Sequence, residues 1–294
     1  MKTENGRRNA LKNIVVGSMA LGVSGSLQSF AATSEKKSAA LKGNINHSVC
    51  RWCFGSMDLD SLCLEAKKIG IKAIDLVGPK DWPVLQKHGL FSSMCNGAEI
   101  NLVDGWNDPA FHETLVKNYT DMIPKVAAAG YKNLICFSGN RRGKDDETGL
   151  NNCVEGLKKV IGLAEKHNVT LVMELLNSKV NHKDYQCDHT SWGVELAKRL
   201  GSENFKLLYD IYHMQIDEGN VISTIKDNHN YIAHYHTAGV PGRNEIDDTQ
   251  ELYYPAIMKA IYETGFKGYV AQEFIPLRKD KIESLKKAVQ ICDI

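Results

Sequence analysis

The chain has 294 residues, 43% of them hydrophobic and 24% charged, enough for one large α/β core. A formal net charge of +1 argues against a dedicated nucleic-acid or polyanion binder, whose surface is strongly basic. The eight cysteines are scattered, and a domain of this size folds without disulfide staples.

The N-terminus reads as a targeting segment. Arg7 and Arg8 precede a mild apolar run from Ile14 to Val23, and the small residues Ala31 and Ala32 follow. A basic start, a short apolar stretch and small residues near a cleavage point define a signal peptide. The paired arginines and the Gly/Ala/Ser-diluted run resemble a twin-arginine signal, although Ala10 stands where a large apolar residue is usual. Residues 1–32 are therefore expected to be a signal, 33–43 a polar linker, and 44–294 the folded domain. The expected location is outside the cytoplasm, in the periplasm. No other run is long and apolar enough to span a bilayer, so no stable membrane insertion is expected once the signal is removed.

From residue 45 onwards, short apolar runs alternate with segments of helical period. Ile45–Phe54 predicts a first strand. Asp58 and Asp60 open a helix carrying Leu62, Ala66 and Ile69, and Gly70 ends it. Ala73–Val77 predicts strand two, with a helix around Val84–His88, and Phe91–Cys95 strand three, followed by a long connection to Pro109. Phe111–Ala129 predicts an amphipathic helix stopped by Gly130. Strand four is expected over Asn133–Ser138 and its helix over Leu150–His167. Strand five is Thr170–Leu176, followed by a polar loop over 177–190 and a helix over Trp192–Leu200. Strand six is Phe205–Ile211, with a short helix over Val221–Asp227. Strand seven is Ile232–Thr237, with a helix over Pro255–Glu263. Gly268–Phe274 is strand eight, and Asp280–Cys292 the last helix.

Eight strands alternating with helices over about 250 residues predict a single (β/α)8 TIM barrel, whose active site lies at the C-terminal rim. A doubly wound open sheet would need a Gly-rich phosphate loop after strand one, and neither common form of that motif is present. Cys50-x-x-Cys53 has redox or zinc spacing. It falls on the predicted first strand, where residues three apart face opposite ways, and no second C-x-x-C completes a zinc site. Two core thiols are expected there.

Glu174, Asp210, His236 and Glu273 fall near the ends of strands five to eight, about one βα unit apart, so their side chains can converge at the rim. Three carboxylates and one imidazole make an oxygen-rich site. It suits Mn²⁺ or Mg²⁺, with Co²⁺ or Zn²⁺ as alternatives, better than a thiolate zinc site. Glu174 lies in L-V-M-E-L-L and Glu273 in Y-V-A-Q-E-F. A carboxylate inside an apolar strand is costly unless paired or metal-bound. Each alone could be salt-bridged to a neighbouring cation; four such residues in register on consecutive strands point to a metal centre. Two glutamates across a metal can also move a proton on an α-hydroxycarbonyl compound, one removing it and the other returning it through an enediolate.

The motifs D-I-Y-H-M-Q (210–215), H-Y-H-T-A-G-V-P-G-R-N-E-I (234–246), Y-Y-P (253–255) and G-F-K-G-Y-V-A-Q-E-F (265–274) resemble the hydroxypyruvate isomerase family. That family belongs to the xylose-isomerase-like barrels, which also include the tagatose and psicose 3-epimerases. F-S-G-N-R (137–141) and E-L-L-N (174–177) agree, and the resemblance covers about residues 45–290. It implies Glu174, Asp210, His236 and Glu273 as metal ligands, Glu174 and Glu273 as the acid/base pair, and His213 and Arg243 as holders of substrate oxygens. The implied reaction is hydroxypyruvate to tartronate semialdehyde. The isomerases commonly carry Gln where this chain has His236, whereas the epimerases carry His, so a ketose 3-epimerase is the alternative. A non-catalytic periplasmic sugar-binding barrel is a third reading, which the Glu pair opposes. The expected partner is a small hydroxy-carbonyl or sugar substrate, with self-association left open.

Further residues carry two readings each. His234 shares a strand face with His236, one layer deeper, and is expected to be a satisfied core histidine. Arg243 either grips a carboxylate or is an ordinary surface arginine. One of Arg141 and Arg142 lines the pocket, or both are solvated. Asn177 binds a substrate hydroxyl or caps a loop. Trp52, Trp106 and Trp192 are core or pocket wall.

Overall fold

The computed structural model describes residues 40–294. The predicted signal, residues 1–32, and most of the linker lie outside the described residues.

Eight strands form a closed parallel barrel in sequence order: β1 (Asn46–Cys50), β2 (Ala73–Val77), β3 (Phe91–Cys95), β4 (Asn133–Cys136), β5 (Thr170–Glu174), β6 (Phe205–Asp210), β7 (Ile232–Thr237) and β8 (Tyr269–Gln272). β1 closes on β8 through the register pairs Asn46–Tyr269 and Val49–Gln272. The helices between them are α1 (Leu59–Ile69), α2 (Trp82–Lys87), α3 (His112–Ala128), α4 (Asp146–His167), α5 (Thr190–Leu200), α6 (Ile211–Asp217), α7 (Val221–Asn228), α8 (Tyr254–Glu263) and α9 (Lys281–Cys292). Helices cover the outer face of a parallel sheet, so its strands are buried on both sides and read as near-continuous apolar runs. Leu207, Leu208 and Tyr209 of β6 and Val270 and Ala271 of β8 are fully buried.

Local chemistry sets the helix ends. Asp58 caps α1 by accepting from the Ser61 amide at 2.8 Å. Gly70 ends it at φ 101°, a conformation that disfavours side chains. Among the described residues, no helix is long and apolar enough to cross a membrane.

The structure shortens four predicted strands. β1 stops at Cys50 because Arg51 turns into the helical region and Trp52–Phe54 form a 3₁₀ turn. Cys50 and Cys53 therefore do not share a strand, although both are buried free thiols as expected. β4, β5 and β8 end at Cys136, Glu174 and Gln272, handing their last predicted residues to rim loops. A helix the sequence reading missed, α6, starts directly at the end of β6. Asp210 caps it by accepting from the His213 amide at 3.2 Å.

Candidate active site

The barrel brings the four predicted ligands to one end. Glu174 is the last residue of β5 and Asp210 the last of β6. His236 stands beside Asp210 in the β6–β7 register. Glu273 follows β8, its amide donating to the Thr237 carbonyl at 3.0 Å. One ligand atom from each of Glu174, Asp210, His236 and Glu273 lies within 4.8 Å of the others, and all four side chains are buried. His236 Nδ1 is 2.9 Å from Glu273 Oε2 and 3.3 Å from Glu174 Oε1.

The electrostatics of this cluster call for a cation. Burial, reinforced by repulsion from Glu273, pushes Asp210 well above the usual carboxylate range. Burial also raises Glu174, and Glu273 adds to the effect. Burial opposes ionisation of Glu273 too, but Arg243 and His236 outweigh it and hold that carboxyl well below its ordinary value. His236 is driven the other way: burial disfavours its charge, yet Glu273 lifts it well above the ordinary imidazole range. Three buried carboxylates converging on one imidazole are the donor set of a hard divalent ion. The residues present fit such an ion.

Arg243 is no surface residue. Its Nη2 lies 2.5 Å from Glu273 Oε2 and 3.5 Å from Asp210 Oδ2, and its guanidinium sits between the rings of Trp52 and Tyr212. The Val240–Gly242 turn delivers it, with Arg243 itself at φ 61°.

His213 is fully buried, and Asn177 donates to its Nδ1 from both the backbone amide, at 3.2 Å, and the side-chain amide, at 2.6 Å. We therefore assign the ring proton to Nε2, which has no hydrogen-bond partner and lies 3.7 Å from Asp210 Oδ2. Burial and the nearby Arg243 lower the affinity of His213 for a second proton, so it is a neutral donor. Of its two readings, Asn177 takes that of a cap. Its Oδ1 accepts from the Val180 and Asn181 amides, and its Nδ2 is committed to Asn181 and His213.

A cavity of about 400 Å³ opens onto this cluster. Glu174, Glu273, Arg243 and His182 provide polar lining, and Leu102 and Phe137 are part of an apolar wall. Trp52, 44% exposed, stands at its edge and donates from Nε1 to Glu273 Oε1 at 2.8 Å. Trp106 and Trp192 belong to the core.

Arg141 and Arg142 do not line this cavity. Arg141 pairs with Asp146 and with Asp188, the latter at 3.0 Å, and Arg142 pairs with Asp104. They tie the loop after β4 to the polar loop that follows β5. That loop is anchored by the buried Tyr185, whose hydroxyl accepts from the Ser138 amide at 3.1 Å and donates to the Glu174 carbonyl at 3.0 Å.

The residue the sequence reading missed is Asp75, midway along β2 and fully buried. Its Oδ1 is 3.0 Å from His236 Nε2, and its Oδ2 is 2.9 Å from His234 Nε2. Ser93 Oγ donates to Oδ2 at 2.5 Å. Burial would raise its pKa, but His234 and His236 hold the carboxyl well below the usual range. His234 is the deeper core histidine expected. Its contact to Asp75 is close enough for an ion pair, but the angle is too poor for a hydrogen bond.

Comparison with known proteins agrees with this geometry. Residues 65–292 match the family model described as xylose isomerase-like TIM barrel. Hydroxypyruvate isomerase from Escherichia coli (strain K12) is 27% identical over 237 residues, covering 76% of this chain and 90% of the relative. Relatives from Homo sapiens and Mus musculus are each 29% identical over 132 residues, 45% of this chain and 47% of their own length, so the chain spans about half of those relatives. Among solved structures, an AP endonuclease of family 2 from Brucella melitensis superposes with a TM-score of 0.73 at 22% identity, covering 82% and 97% of the two chains. A D-psicose 3-epimerase from Clostridium cellulolyticum H10 gives 0.64 at 19% identity, covering 83% and 90%. At those identities the structural likenesses establish the fold alone.

Proposed function

The chain belongs to the xylose isomerase-like TIM barrel family, and we propose that it is a metal-dependent isomerase of a small hydroxy-carbonyl compound, with hydroxypyruvate to tartronate semialdehyde as the reaction. That it is an isomerase follows from its curated relatives; the substrate, the metal requirement and the mechanism are the proposal. The observation that carries it is the placement of Glu174 and Glu273 on either side of His236, both buried and both within reach of one cation site.

Glu174, Asp210, His236 and Glu273 would hold the ion. A divalent cation there supplies Lewis acidity to the substrate's neighbouring carbonyl and hydroxyl oxygens. One glutamate takes the proton from the hydroxylated carbon of hydroxypyruvate, and the other delivers a proton to the former carbonyl carbon. A second proton passes between the two oxygens, so the atoms balance and the step is an enediolate-type isomerisation. The roles of the two glutamates exchange in the reverse direction. Once the ion shares the charge of Glu273 and Asp210, Arg243 is freed to hold the substrate carboxylate as a bidentate donor. The Nε2–H of His213 points toward Asp210 and offers a hydrogen bond to a substrate oxygen. The apolar wall limits water at the reacting carbons.

A second reading, ketose 3-epimerase, is favoured by one observation. The cavity of about 400 Å³ is roomy for a three-carbon acid. The test is turnover of the manganese-loaded protein on hydroxypyruvate beside a panel of ketohexoses. Chelator-sensitive conversion of hydroxypyruvate supports the first reading; conversion of ketoses alone replaces it with the second. Export, proposed from Arg7-Arg8 and the apolar run behind them, is checked by fractionation. Recovery of the mature protein solely with the cytoplasm would contradict it.

A further inference from the structure

We propose that Asp75 is a positioning residue for the metal centre: it decides which nitrogen of His236 faces the cation. The inference rests on the metal-centre reading above and extends it to a residue on a strand that supplies no ligand.

Asp75 makes no contact with water. Both of its oxygens are spoken for, Oδ1 by His236 Nε2 at 3.0 Å and Oδ2 by Ser93 Oγ at 2.5 Å, with His234 Nε2 2.9 Å from Oδ2. Cys50 Sγ adds a weak donation to Oδ1 at 3.5 Å. An ionised carboxylate can only accept. The nitrogen of His236 that meets it must therefore carry the hydrogen, and that nitrogen is Nε2. The opposite nitrogen, Nδ1, points between Glu273 Oε2 and Glu174 Oε1, the position from which it would offer a lone pair to a cation. A half-turn of the imidazole would present carbon-bound hydrogens to both Asp75 and Glu273, so the clamp also fixes the ring's rotation. A carboxylate behind a metal-bound imidazole orients the ring and raises its basicity.

His234 and Ser93 have the complementary task. They hold Oδ2, which keeps Oδ1 directed at His236. The chain places all of this by register: Cys50 and Asp75 are paired across β1 and β2, while His234 and His236 are two residues apart on β7 and so face the same way. The clamp lies one layer below the cluster of Glu174, Asp210 and Glu273, where substrate does not reach it.

Two measurements on the full chain test the inference without reference to turnover. The first uses histidine labelled with ¹⁵N and Zn²⁺ as the probe ion. Long-range proton–nitrogen correlations, with His236 assigned by its loss in His236→Gln, should show metal on Nδ1 and a proton on Nε2. Metal on Nε2 with the proton on Nδ1 overturns the inference. The second reads Mn²⁺ affinity from the electron paramagnetic resonance of the free ion. Asp75→Leu should weaken binding by about 10- to 100-fold, while Asp75→Asn, which keeps an acceptor oxygen, should stay near the unsubstituted value. Unchanged Mn²⁺ affinity in folded Asp75→Leu overturns the inference and leaves the metal centre standing. Should Asp75→Leu fail to fold, the nitrogen assignment in the unsubstituted chain still decides. No Zn²⁺ or Mn²⁺ binding by the unsubstituted chain removes the metal-centre reading, and this inference with it.

Discussion

Trp52 donates its indole N–H to Glu273 Oε1 at 2.8 Å while its ring lies against the Arg243 guanidinium, 5.1 Å from the ring centre. One residue after β1 thereby fixes both a proposed proton carrier and a proposed substrate anchor. Trp52→Phe keeps most of the ring and removes the donor. A hydrogen bond to a charged group contributes about 1.5–3 kcal/mol, so kcat/KM should fall about 10- to 100-fold with little change in melting temperature. Steady-state kinetics beside a thermal melt check this. An unchanged kcat/KM would remove the hydrogen bond from the mechanism.

Replacing either proposed proton carrier, as in Glu174→Gln or Glu273→Gln, should lower kcat by about 10²- to 10⁴-fold. Each change also removes a ligand charge, so Mn²⁺ affinity must be measured alongside and the assay run at saturating metal. A variant that regains full turnover at high Mn²⁺ would be a ligand without an acid/base role.

Much of this centre was legible before the fold was known. Glu174 and Glu273 stood out as carboxylates in apolar strands, and Asp210 and His236 as their equivalents on the strands between. The same rule applied to A-I-D-L-V on strand two finds Asp75, which is as deeply buried. It was passed over because it sits in mid-strand rather than at a strand end. The start of α6 at Asp210 was hidden because I-Y-H-M reads equally as strand or helix. The break after Cys50 depends on Arg51 turning helical beneath the neighbouring strand, a tertiary effect with no local signal. The partners of Arg141 and Arg142 are aspartates distant in sequence, such as Asp188 and Asp104, and only the closed barrel brings them together.

Metal uptake should tighten as pH rises. His236 and Asp210 both hold protons above their ordinary ranges, the first through Glu273 despite burial, the second through burial and Glu273. A cation must displace those protons, so binding releases them. Calorimetry in buffers of different ionisation enthalpy reads the release directly. In the same protein, Mn²⁺ at a hundredfold excess over Kd should add about 2.7 kcal/mol to stability, seen as a higher melting temperature that a chelator reverses. Binding that is independent of pH would contradict the assigned ligand states.

His47 gives the fold an acid-sensitive point away from the centre. Burial outweighs the pull of Asp293 and lowers its pKa to about 4, and neither ring nitrogen has a hydrogen-bond partner. Between about pH 6.5 and 4 the unfolded chain takes up a proton that the folded chain refuses. Stability from this group is therefore complete above that window, falls as the pH drops through it, and levels off below, by up to about 3 kcal/mol. Chemical denaturation across this range should show a slope that His47→Leu flattens. An unchanged slope in that variant would assign the acid sensitivity to other groups.

Tyr185→Phe removes the hydroxyl that joins the Ser138 amide to the Glu174 carbonyl. Both backbone groups would be left buried and unpaired, at a cost of about 1–3 kcal/mol. Lower stability together with faster proteolysis within 177–190 is the expected result.

The most direct measurement follows deuterium. The metal-loaded protein is incubated with hydroxypyruvate in D₂O and observed by proton NMR. The account predicts tartronate semialdehyde carrying solvent deuterium, with the signal abolished by chelator and by Glu273→Gln. Isomerisation that survives full removal of metal, or a metal-loaded protein that catalyses neither deuterium exchange nor isomerisation on hydroxypyruvate or any ketose, would contradict it.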